Sequence, residues 1–315
     1  LIDPRPDSGM PAALRWFLAT RPAFLGITLV GCAIGFASAW HTGIPFHAGR
    51  SLVTVLLAAL AHAGVNVVND YYDHANGSDW HNTARLYPFT GGSRYIQNGV
   101  HTPRQTFAFA LLLFAAAIAG GLWLALSVGW PLLGCGMLGL FIGWAYSAEP
   151  FRLNARGLGE LCVWAGFLLV VVGADLVQRG MPGLPAVVAG MPYALLTTNI
   201  LFINQFPDRE ADSLAGKRHW VVRLTPRQAA WGYAVVLAAA VAWIVAGVMT
   251  GLLPALALIA LPASLPGLLA ARALIVHCHE PAALRPAIRW TLATAHLVGL
   301  LIAATLVLSA TASTR

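Results

Sequence analysis

Charged residues are scarce in this chain of 315 residues, of which only 10% are Asp, Glu, Lys or Arg. An ordinary soluble domain carries about 25% charged residues, so this chain lacks the polar surface that water requires. The scarcity excludes a soluble globular enzyme, a disordered chain and a coiled coil. Because the apolar residues form continuous runs without alternation, we predict an all-α polytopic membrane protein.

Cysteine is equally sparse, and its four copies are isolated from one another in apolar surroundings. No CxxC pair is present, which argues against a zinc or redox motif. The first eleven residues show no charged start followed by an apolar run and a small-residue cleavage pattern. We therefore expect no cleaved signal peptide.

Nine apolar segments are long enough to span a bilayer, each needing about 20 residues. They follow closely on one another, which predicts one membrane-embedded domain over residues 1–315 with a polar tail at 1–14. Nine helices in a single bundle with a cytoplasmic cap are thus expected. The segments are 22–40, 51–69, 105–124, 129–147, 159–178, 185–204, 230–249, 253–273 and 287–309.

The formal net charge of +7 arises from basic residues that concentrate on one side of these segments. Sixteen of the 19 Lys and Arg residues precede or follow segments on the side of the N-terminus, and only Arg50, Arg179 and Arg315 lie on the other. Cytoplasmic loops carry such an excess. We expect a cytoplasmic N-terminus and cap in the inner (plasma) membrane, contact with membrane lipid, and no nucleic-acid partner.

Half of the 12 acidic residues fall in two short clusters, each ending an apolar segment on the predicted cytoplasmic side. In the first, Asn69 and Asp73 are four residues apart and share one helix face. In the second, Asn204, Asp208 and Asp212 repeat that spacing, and Pro207 is expected to kink or end the helix. The clusters are Asp70, Asp73 and Asp79, and Asp208, Glu210 and Asp212.

Two acidic faces at a membrane rim favour a cation between them, and Mg²⁺ prefers oxygen ligands that it shares with substrate phosphates. Basic residues follow each cluster: Arg85 and Arg94 the first, Lys217 and Arg218 the second. Carboxylates beside basic residues suit a metal-bound diphosphate. The alternative is an ion-pair network that closes a cytoplasmic cap.

At these residues the sequence resembles the UbiA superfamily of intramembrane prenyltransferases. The first cluster resembles that family's first Asp-rich motif, and its extension through Gly77 and Asp79 is closest to the 1,4-dihydroxy-2-naphthoate (menaquinone-type, MenA-like) branch. The second cluster, with Gly216 and Lys217, resembles the second motif. The stretches Thr90–Arg94, Tyr146–Glu160 and Arg21–Pro22 resemble further family segments.

The resemblance implies an Mg²⁺-dependent transfer of a polyprenyl chain from a prenyl diphosphate to an aromatic acceptor. It implies metal binding by Asn69, Asp70, Asp73, Asp79, Asp208 and Asp212, and diphosphate binding by Arg21, Arg94, Arg152, Arg156 and Lys217. The resemblance also implies a set of catalytic residues, with Tyr146 near the reacting carbon: Asn69, Asp73, Tyr146, Asp208 and Asp212. Tyr72 and Glu160 are expected to position the acceptor.

The acceptor implied by the branch is 1,4-dihydroxy-2-naphthoate, in menaquinone biosynthesis. Other acceptors stay open with the same fold: 4-hydroxybenzoate, a chlorophyllide, haem or a glycerol lipid. A cation-coupled transporter is a further alternative, but transporter charges lie near the membrane midplane. For Glu160, a capping role or an ion pair with Arg156, four residues earlier, is the alternative.

Overall fold

The structure, a computed structural model, describes residues 3–7 and 9–313. Arg315, counted above on the poorly charged side, and parts of the predicted N-terminal tail lie outside the described residues. Within the described ranges the chain is helical and has nine segments long and apolar enough to cross a membrane. The predicted all-α, nine-span architecture is therefore confirmed.

The observed helices match the predicted segments closely and are usually a few residues longer. Helices α4 and α9 are short elements of the cap, and α1 precedes the first span. The helices are α1 Ala12–Ala19, α2 Pro22–His41, α3 Ala48–Ala75, α4 Ser78–His81, α5 Pro103–Val128, α6 Trp130–Ser147, α7 Gly159–Arg179, α8 Leu184–Leu214, α9 Trp220–Arg223, α10 Pro226–Met249, α11 Leu265–His277 and α12 Arg285–Ser313; 3₁₀ turns at Ala255–Ala260 and Pro262–Ser264 extend the span of α11.

Both acidic clusters belong to the ends of long helices. Helix α3 continues to Ala75 and α8 continues to Leu214, beyond the apolar stretches from which we predicted them. Of the two outcomes expected at Pro207, a kink or an end, the end is wrong, because α8 runs on for two further turns. A proline removes one backbone hydrogen bond, but the helix continues through Pro207, which is buried. The carboxylates of α8 thereby keep their common face.

Helix α8 is the centre of the bundle and the most buried of the spanning helices. Helices α2, α7, α10 and α12 pack against it and form the larger apolar core. A smaller core joins α3 to α5, with α6 beside it. A large apolar cavity lies between these two groups of helices.

The end of the bundle away from the acidic clusters is closed by polar contacts. Asp175 and Arg179 form an ion pair there, with Nε to Oδ2 at 2.8 Å. Arg179 also donates to the hydroxyl of Thr42 over 2.8 Å, and Gln178 donates to the hydroxyl of Ser51 over 3.0 Å. These contacts tie α2, α3 and α7 together at that end.

Candidate active site

The first acidic cluster is held in a network around Asn69 on α3. Its amide nitrogen donates to Oδ2 of Asp73 over 3.1 Å and to the hydroxyl of Ser147 over 3.0 Å. Arg21 donates to Oδ1 of Asn69 over 3.2 Å and also to Asp70. The spacing of four along α3 thus places Asn69 and Asp73 together, as the sequence predicts.

Asp79 reaches the same place from α4, and only 4% of its surface is exposed. Gln97 donates to its Oδ2 over 2.9 Å. Burial, together with the neighbouring charges of Asp73 and Asp70, raises the pKa of Asp79 well above its ordinary value. A carboxyl in these surroundings favours a cation nearby.

The second acidic cluster faces the first from α8. Asp208 accepts from the amide of Asn82 over 2.6 Å and from the backbone N–H of Gly91 over 3.2 Å. Asp212 contacts Nε2 of His219 at 3.1 Å. Glu210, which lies between them in sequence, is exposed on another face of the helix.

Lys217 joins the two clusters. Its Nζ lies 2.8 Å from Asp73 and 2.9 Å from Asp212, and the residue is buried. Burial alone lowers the pKa of Lys217, but the charges of Asp212 and Asp73 outweigh it and raise the pKa. A cationic group therefore already bridges the two motifs in this structure.

The loop between α4 and α5 covers the acidic groups with its backbone. Gly91 and Gly92 have φ angles of +72° and +74°, which glycine adopts without strain. A Cβ on Gly92 would lie 2.7 Å from Asp79, so only glycine permits this approach. The next residue, Ser93, donates its N–H to Asp70 over 3.2 Å. The Gly-Gly-Ser segment that the sequence pointed out thus binds carboxylates of both motifs.

Three predicted diphosphate-binding arginines share an unusual backbone. Among the described residues, Arg21, Arg94 and Arg152 are the non-glycine positions with positive φ, at 57°, 68° and 43°. Such strain persists where the surroundings impose it, and it concentrates at functional sites. Arg21 precedes α2, and this backbone turns its side chain towards α3.

These groups surround a small polar cavity of about 100 Å³. Among the described residues, no three acidic, histidine or cysteine side chains form a ready metal site, because Lys217 and Arg21 occupy positions beside the carboxylates. The donors nevertheless fit a divalent cation that prefers oxygen. Three buried amide oxygens at the cavity have no hydrogen-bond partner among the described residues, and they belong to Asn82, Asn204 and Gln205.

A second, larger cavity of about 710 Å³ adjoins the polar one. This apolar chamber is lined by α2, α3, α5, α6, α7 and α8, mostly with aliphatic side chains and glycines. Six residues line both spaces: Arg21, Asn69, Phe89, Tyr146, Leu201 and Asn204. They form the junction between a charged compartment and a hydrocarbon-lined one.

Several predicted residues lie elsewhere. Asp70 does not line the polar cavity, because Arg21 and the N–H of Ser93 already engage its carboxylate. Arg94 lies outside it as well and donates to the backbone carbonyl of Asp79. Both therefore contact the wall of the site and not its interior.

The arginines of the loop between α6 and α7 also turn away from the cavity. Arg152 lies 3.9 Å from Glu149, and exposed Arg156 donates to the carbonyl of Pro150 over 2.7 Å. Neither lines the polar cavity, whereas Asn154 between them does. Short local contacts within the loop hold both guanidinium groups outside.

The two predicted acceptor-positioning residues line neither cavity. Tyr72 packs with Tyr71 and Trp144 at ring distances of 5.1 and 6.4 Å. Glu160 follows Gly159, where an added Cβ would lie 3.5 Å from the Tyr146 ring. Both Glu160 carboxylate oxygens are buried without a hydrogen-bond partner among the described residues, so the alternative ion pair with Arg156 is absent.

Sequence reasoning did not identify several residues that line the polar cavity, among them Asn82, Phe89, Asn154 and His219. His219, only 2% exposed, touches Asp212. Its position two residues after Lys217 was a usable signal. Asn82 meets Asp208 across 126 residues of sequence, and no local pattern indicates that pairing.

Fold and site together describe a helical protein with nine candidate membrane spans, in which a small polar cavity adjoins an apolar chamber. Residues 24–292 match the model of the UbiA prenyltransferase family. Because this match covers most of the chain, the protein belongs to the UbiA prenyltransferase family. The resemblance derived from the sequence is confirmed, and the chain is a prenyltransferase of the UbiA type.

Individual relatives agree with this assignment. The chain is similar to the 1,4-dihydroxy-2-naphthoate octaprenyltransferase of Haemophilus influenzae, with 27% identity over 86% of this chain and 88% of that protein. The enzyme of the same description from Bacillus subtilis is 26% identical over 59% of this chain, and the match spans only 58% of that enzyme's length. A UbiA homolog from Archaeoglobus fulgidus, solved bound to DMAPP and Mg²⁺, shares the fold with a TM-score of 0.61 at 15% identity, over 91% of this chain and 98% of that one.

Proposed function

We propose that this protein transfers a polyprenyl chain from a prenyl diphosphate to an aromatic acceptor, with 1,4-dihydroxy-2-naphthoate as the acceptor and menaquinone biosynthesis as the pathway. The observation that carries the proposal is the junction of the polar cavity with the apolar chamber. A polyprenyl diphosphate has the same division, with a charged head and a long hydrocarbon tail. The names of the naphthoate relatives support the choice of acceptor.

The diphosphate binds in the polar cavity. Lys217 and Arg21 would contact its oxygens, and Asn69, Asp73, Asp79, Asp208 and Asp212 are the residues that would hold Mg²⁺. When bound, Mg²⁺ supplies positive charge that stabilises the leaving diphosphate. The basic residues contribute in the same direction by neutralising other oxygens of the same group.

The reacting carbon lies at the junction. The allylic C–O bond breaks with both electrons leaving on the diphosphate, and the resulting cation is shielded from water by the apolar chamber. The rings of Tyr146 and Phe89, which both line the junction, offer π faces to that cation.

An electron-rich ring carbon then forms the new C–C bond. If that carbon bears the carboxylate, loss of CO₂ returns the electron pair to the ring and no proton transfer is needed. If it bears hydrogen, a base takes the proton. Glu160 is buried without a hydrogen-bond partner among the described residues, and it follows Gly159, which lies beside the Tyr146 ring. We propose that its carboxylate orients the acceptor.

The test is product formation by the purified protein in detergent, with Mg²⁺, a long polyprenyl diphosphate and a panel led by 1,4-dihydroxy-2-naphthoate and 4-hydroxybenzoate. Mass spectrometry identifies the product. A prenylated naphthoquinol that has lost its carboxylate supports the proposal. Product from another acceptor would keep the prenyl transfer and assign a different pathway. If the donor is not consumed in a Mg²⁺-dependent way, the proposed function is contradicted.

Variants test the metal residues. Asp73→Ala and Asp208→Ala should each lower turnover by at least a hundredfold, and both should weaken the Mg²⁺-dependent rise in thermal stability. Glu210→Ala is the matched control, because Glu210 is exposed on the same helix and faces away from the cavity. Wild-type turnover in either Asp variant would overturn the metal assignment.

We further propose that the N-terminus and the polar cavity face the cytoplasm and that the enzyme resides in the inner membrane. The excess of Lys and Arg at this end supports that orientation. Single cysteines at Glu210 and Thr250, exposed at opposite ends of the bundle, can be labelled with an impermeant maleimide in intact cells and in inverted vesicles. Labelling of the Glu210 position in intact cells would contradict the orientation.

A further inference from the structure

Polar side chains of α3 interrupt the apolar wall of the chamber, and two of them lie next to each other below the junction. His62 and Asn66 are four residues apart, and both line the chamber below the junction. Residues at this spacing are neighbours on a helix surface, with about 5–6 Å between their Cβ atoms. Asn66 is one turn below Asn69, which belongs to the junction itself.

Each side chain uses one polar atom to fix its own position. Nδ1 of His62 lies 2.7 Å from the hydroxyl of Thr28 on α2. The amide nitrogen of Asn66 donates to the carbonyl of Thr20 over 3.0 Å. The His62 ring also packs edge-on against Phe167 at 5.5 Å. These contacts hold both side chains in place; the partners of His62, Thr28 and Phe167, line the chamber beside it.

The second polar atom of each side chain has no partner in the described part of the chain. These atoms are Nε2 of His62 and Oδ1 of Asn66, and neither is enclosed by protein. A polar atom facing an apolar space costs free energy until it is hydrogen-bonded. The hydrocarbon tail of the donor offers no hydrogen bond, so these two atoms suit a different ligand, one that carries oxygen.

We propose that Nε2 of His62 and Oδ1 of Asn66 bind the two ring oxygens of a 1,4-dihydroxyarene acceptor. One helical turn separates the two side chains, which resembles the separation of two oxygens placed para on a six-membered ring. A hydroxyl both donates and accepts, so it pairs with Oδ1 of Asn66 and with either tautomer of His62. This inference rests on the proposed function and deepens it by naming how the acceptor is recognised.

The placement also orients the acceptor for reaction. With its oxygens on His62 and Asn66, the ring lies along α3 beneath Asn69, and a carbon next to the upper oxygen is presented to the junction. A hydrogen bond from that hydroxyl to Oδ1 of Asn66 increases the electron density of the ring. His62 and Asn66 thus act as substrate-positioning residues that favour a para-dihydroxylated ring over a ring with one hydroxyl.

The test uses His62→Leu and Asn66→Leu with 1,4-dihydroxy-2-naphthoate and its two monomethyl ethers. We expect each variant to raise the KM for the dihydroxy acceptor about tenfold or more, with the KM for the prenyl diphosphate unchanged within about twofold. With the monomethyl ether whose methylated oxygen faces the mutated position, we expect the variant and the wild type to have similar KM values. His62→Gln, which keeps a hydrogen-bonding group, should recover most of the affinity.

The control is His41→Leu, a histidine of α2 that contacts the carbonyl of Leu306 away from the chamber; it should leave both KM values unchanged. Equilibrium dialysis of the dihydroxynaphthoate without donor gives a second readout that needs no turnover. If His62→Leu and Asn66→Leu raise the KM of the prenyl diphosphate and leave acceptor binding unchanged, the inference is overturned. If wild-type protein binds the acceptor but transfers no prenyl group, the proposed reaction fails while this binding site stands.

Discussion

Lys217 is the residue on which the geometry of the two acidic motifs depends. Its ammonium group lies between Asp73 and Asp212 at 2.8 and 2.9 Å, where it balances charge that α3 and α8 would otherwise bring together unpaired. Removing one partner from a buried ion pair is strongly destabilising, because the remaining charges stay buried. Lys217 therefore joins stability to the binding of the diphosphate.

We expect Lys217→Met to lose about 3–5 kcal/mol of unfolding free energy in buffer that contains EDTA. Mg²⁺ should restore more stability to this variant than to the wild type, because a cation then takes the place between the carboxylates. Thermal unfolding in detergent, with and without Mg²⁺, measures both effects. Lys217→Arg keeps the charge and should have a melting temperature near that of the wild type. If Lys217→Met melts at the wild-type temperature in EDTA, the prediction is contradicted.

His101 makes the cap sensitive to pH. Its ring stacks on Trp16 at 3.7 Å and on Tyr95 at 4.9 Å, which joins α1 to the loop before α5. Burial and the charge of Arg15 lower the pKa of His101 to about 4. An unfolded histidine takes up its proton near pH 6.5, so this group's contribution is complete above that pH and is lost as the pH falls from about 6.5 to 4.

The melting temperature of the wild type should therefore fall between pH 7.5 and 5 more steeply than that of His101→Phe. The Phe variant keeps an aromatic ring in the stack and has no proton to take up. Parallel melting curves across this pH range would show that another group controls the acid sensitivity.

The described part of the N-terminal tail packs against the loop between α4 and α5 and is hydrogen-bonded to it. Asp3 accepts two hydrogen bonds from Arg85, at 3.0 and 2.6 Å, and the carbonyl of Pro4 accepts from Asn98 at 2.8 Å. Arg85 lowers the pKa of Asp3, so this contact is present at neutral pH. The tail thus contacts the same loop, between α4 and α5, whose Gly91 and Ser93 donate hydrogen bonds to the acidic motifs.

We expect Asp3→Asn to increase hydrogen exchange in the loop over residues 82–101 and to raise the KM for the prenyl diphosphate up to about fivefold. The bound is small because a partly exposed ion pair contributes about 1 kcal/mol or less. Asp7→Asn is the control, since Asp7 forms no ion pair with another described residue. Unchanged exchange in the loop would show that the tail does not restrain it.

For the molecule as a whole, the apolar chamber defines which donors fit. Gly166 on α7 lines the chamber, and no described atom lies within 4 Å of a Cβ built there. A large side chain at this position fills space and does not collide with the protein. The volume available to the hydrocarbon tail would shrink while the polar cavity keeps its shape.

Gly166→Phe should lower kcat/KM for a long polyprenyl diphosphate at least tenfold and leave a short donor such as dimethylallyl diphosphate largely unaffected. Competition between the two donors, read by mass spectrometry, measures the ratio directly. Gly134→Phe is the matched control, because Gly134 is equally open but does not line the chamber. A similar loss for both donors would indicate a disturbed fold.

Much of this protein follows from local sequence patterns. The runs of apolar residues predicted all nine spans because a helix in lipid must satisfy its backbone internally. The spacing of four in Asn69 and Asp73, and again in Asp208 and Asp212, predicted shared faces because the helix repeats every 3.6 residues. The sequence suggested that Pro207 could end its helix, but α8 continues through this proline to Leu214.

The tertiary structure alone decided how these faces meet and what lies between them. It placed Lys217 between Asp73 and Asp212, brought Asn82 to Asp208, and turned Arg152 and Arg156 away from the cavity. Hydropathy and helical periodicity act over a few residues, so the sequence by itself determined the class, the spans and the acidic faces. Contacts between residues far apart in sequence depend on how the helices pack, and that packing created the junction of the two cavities.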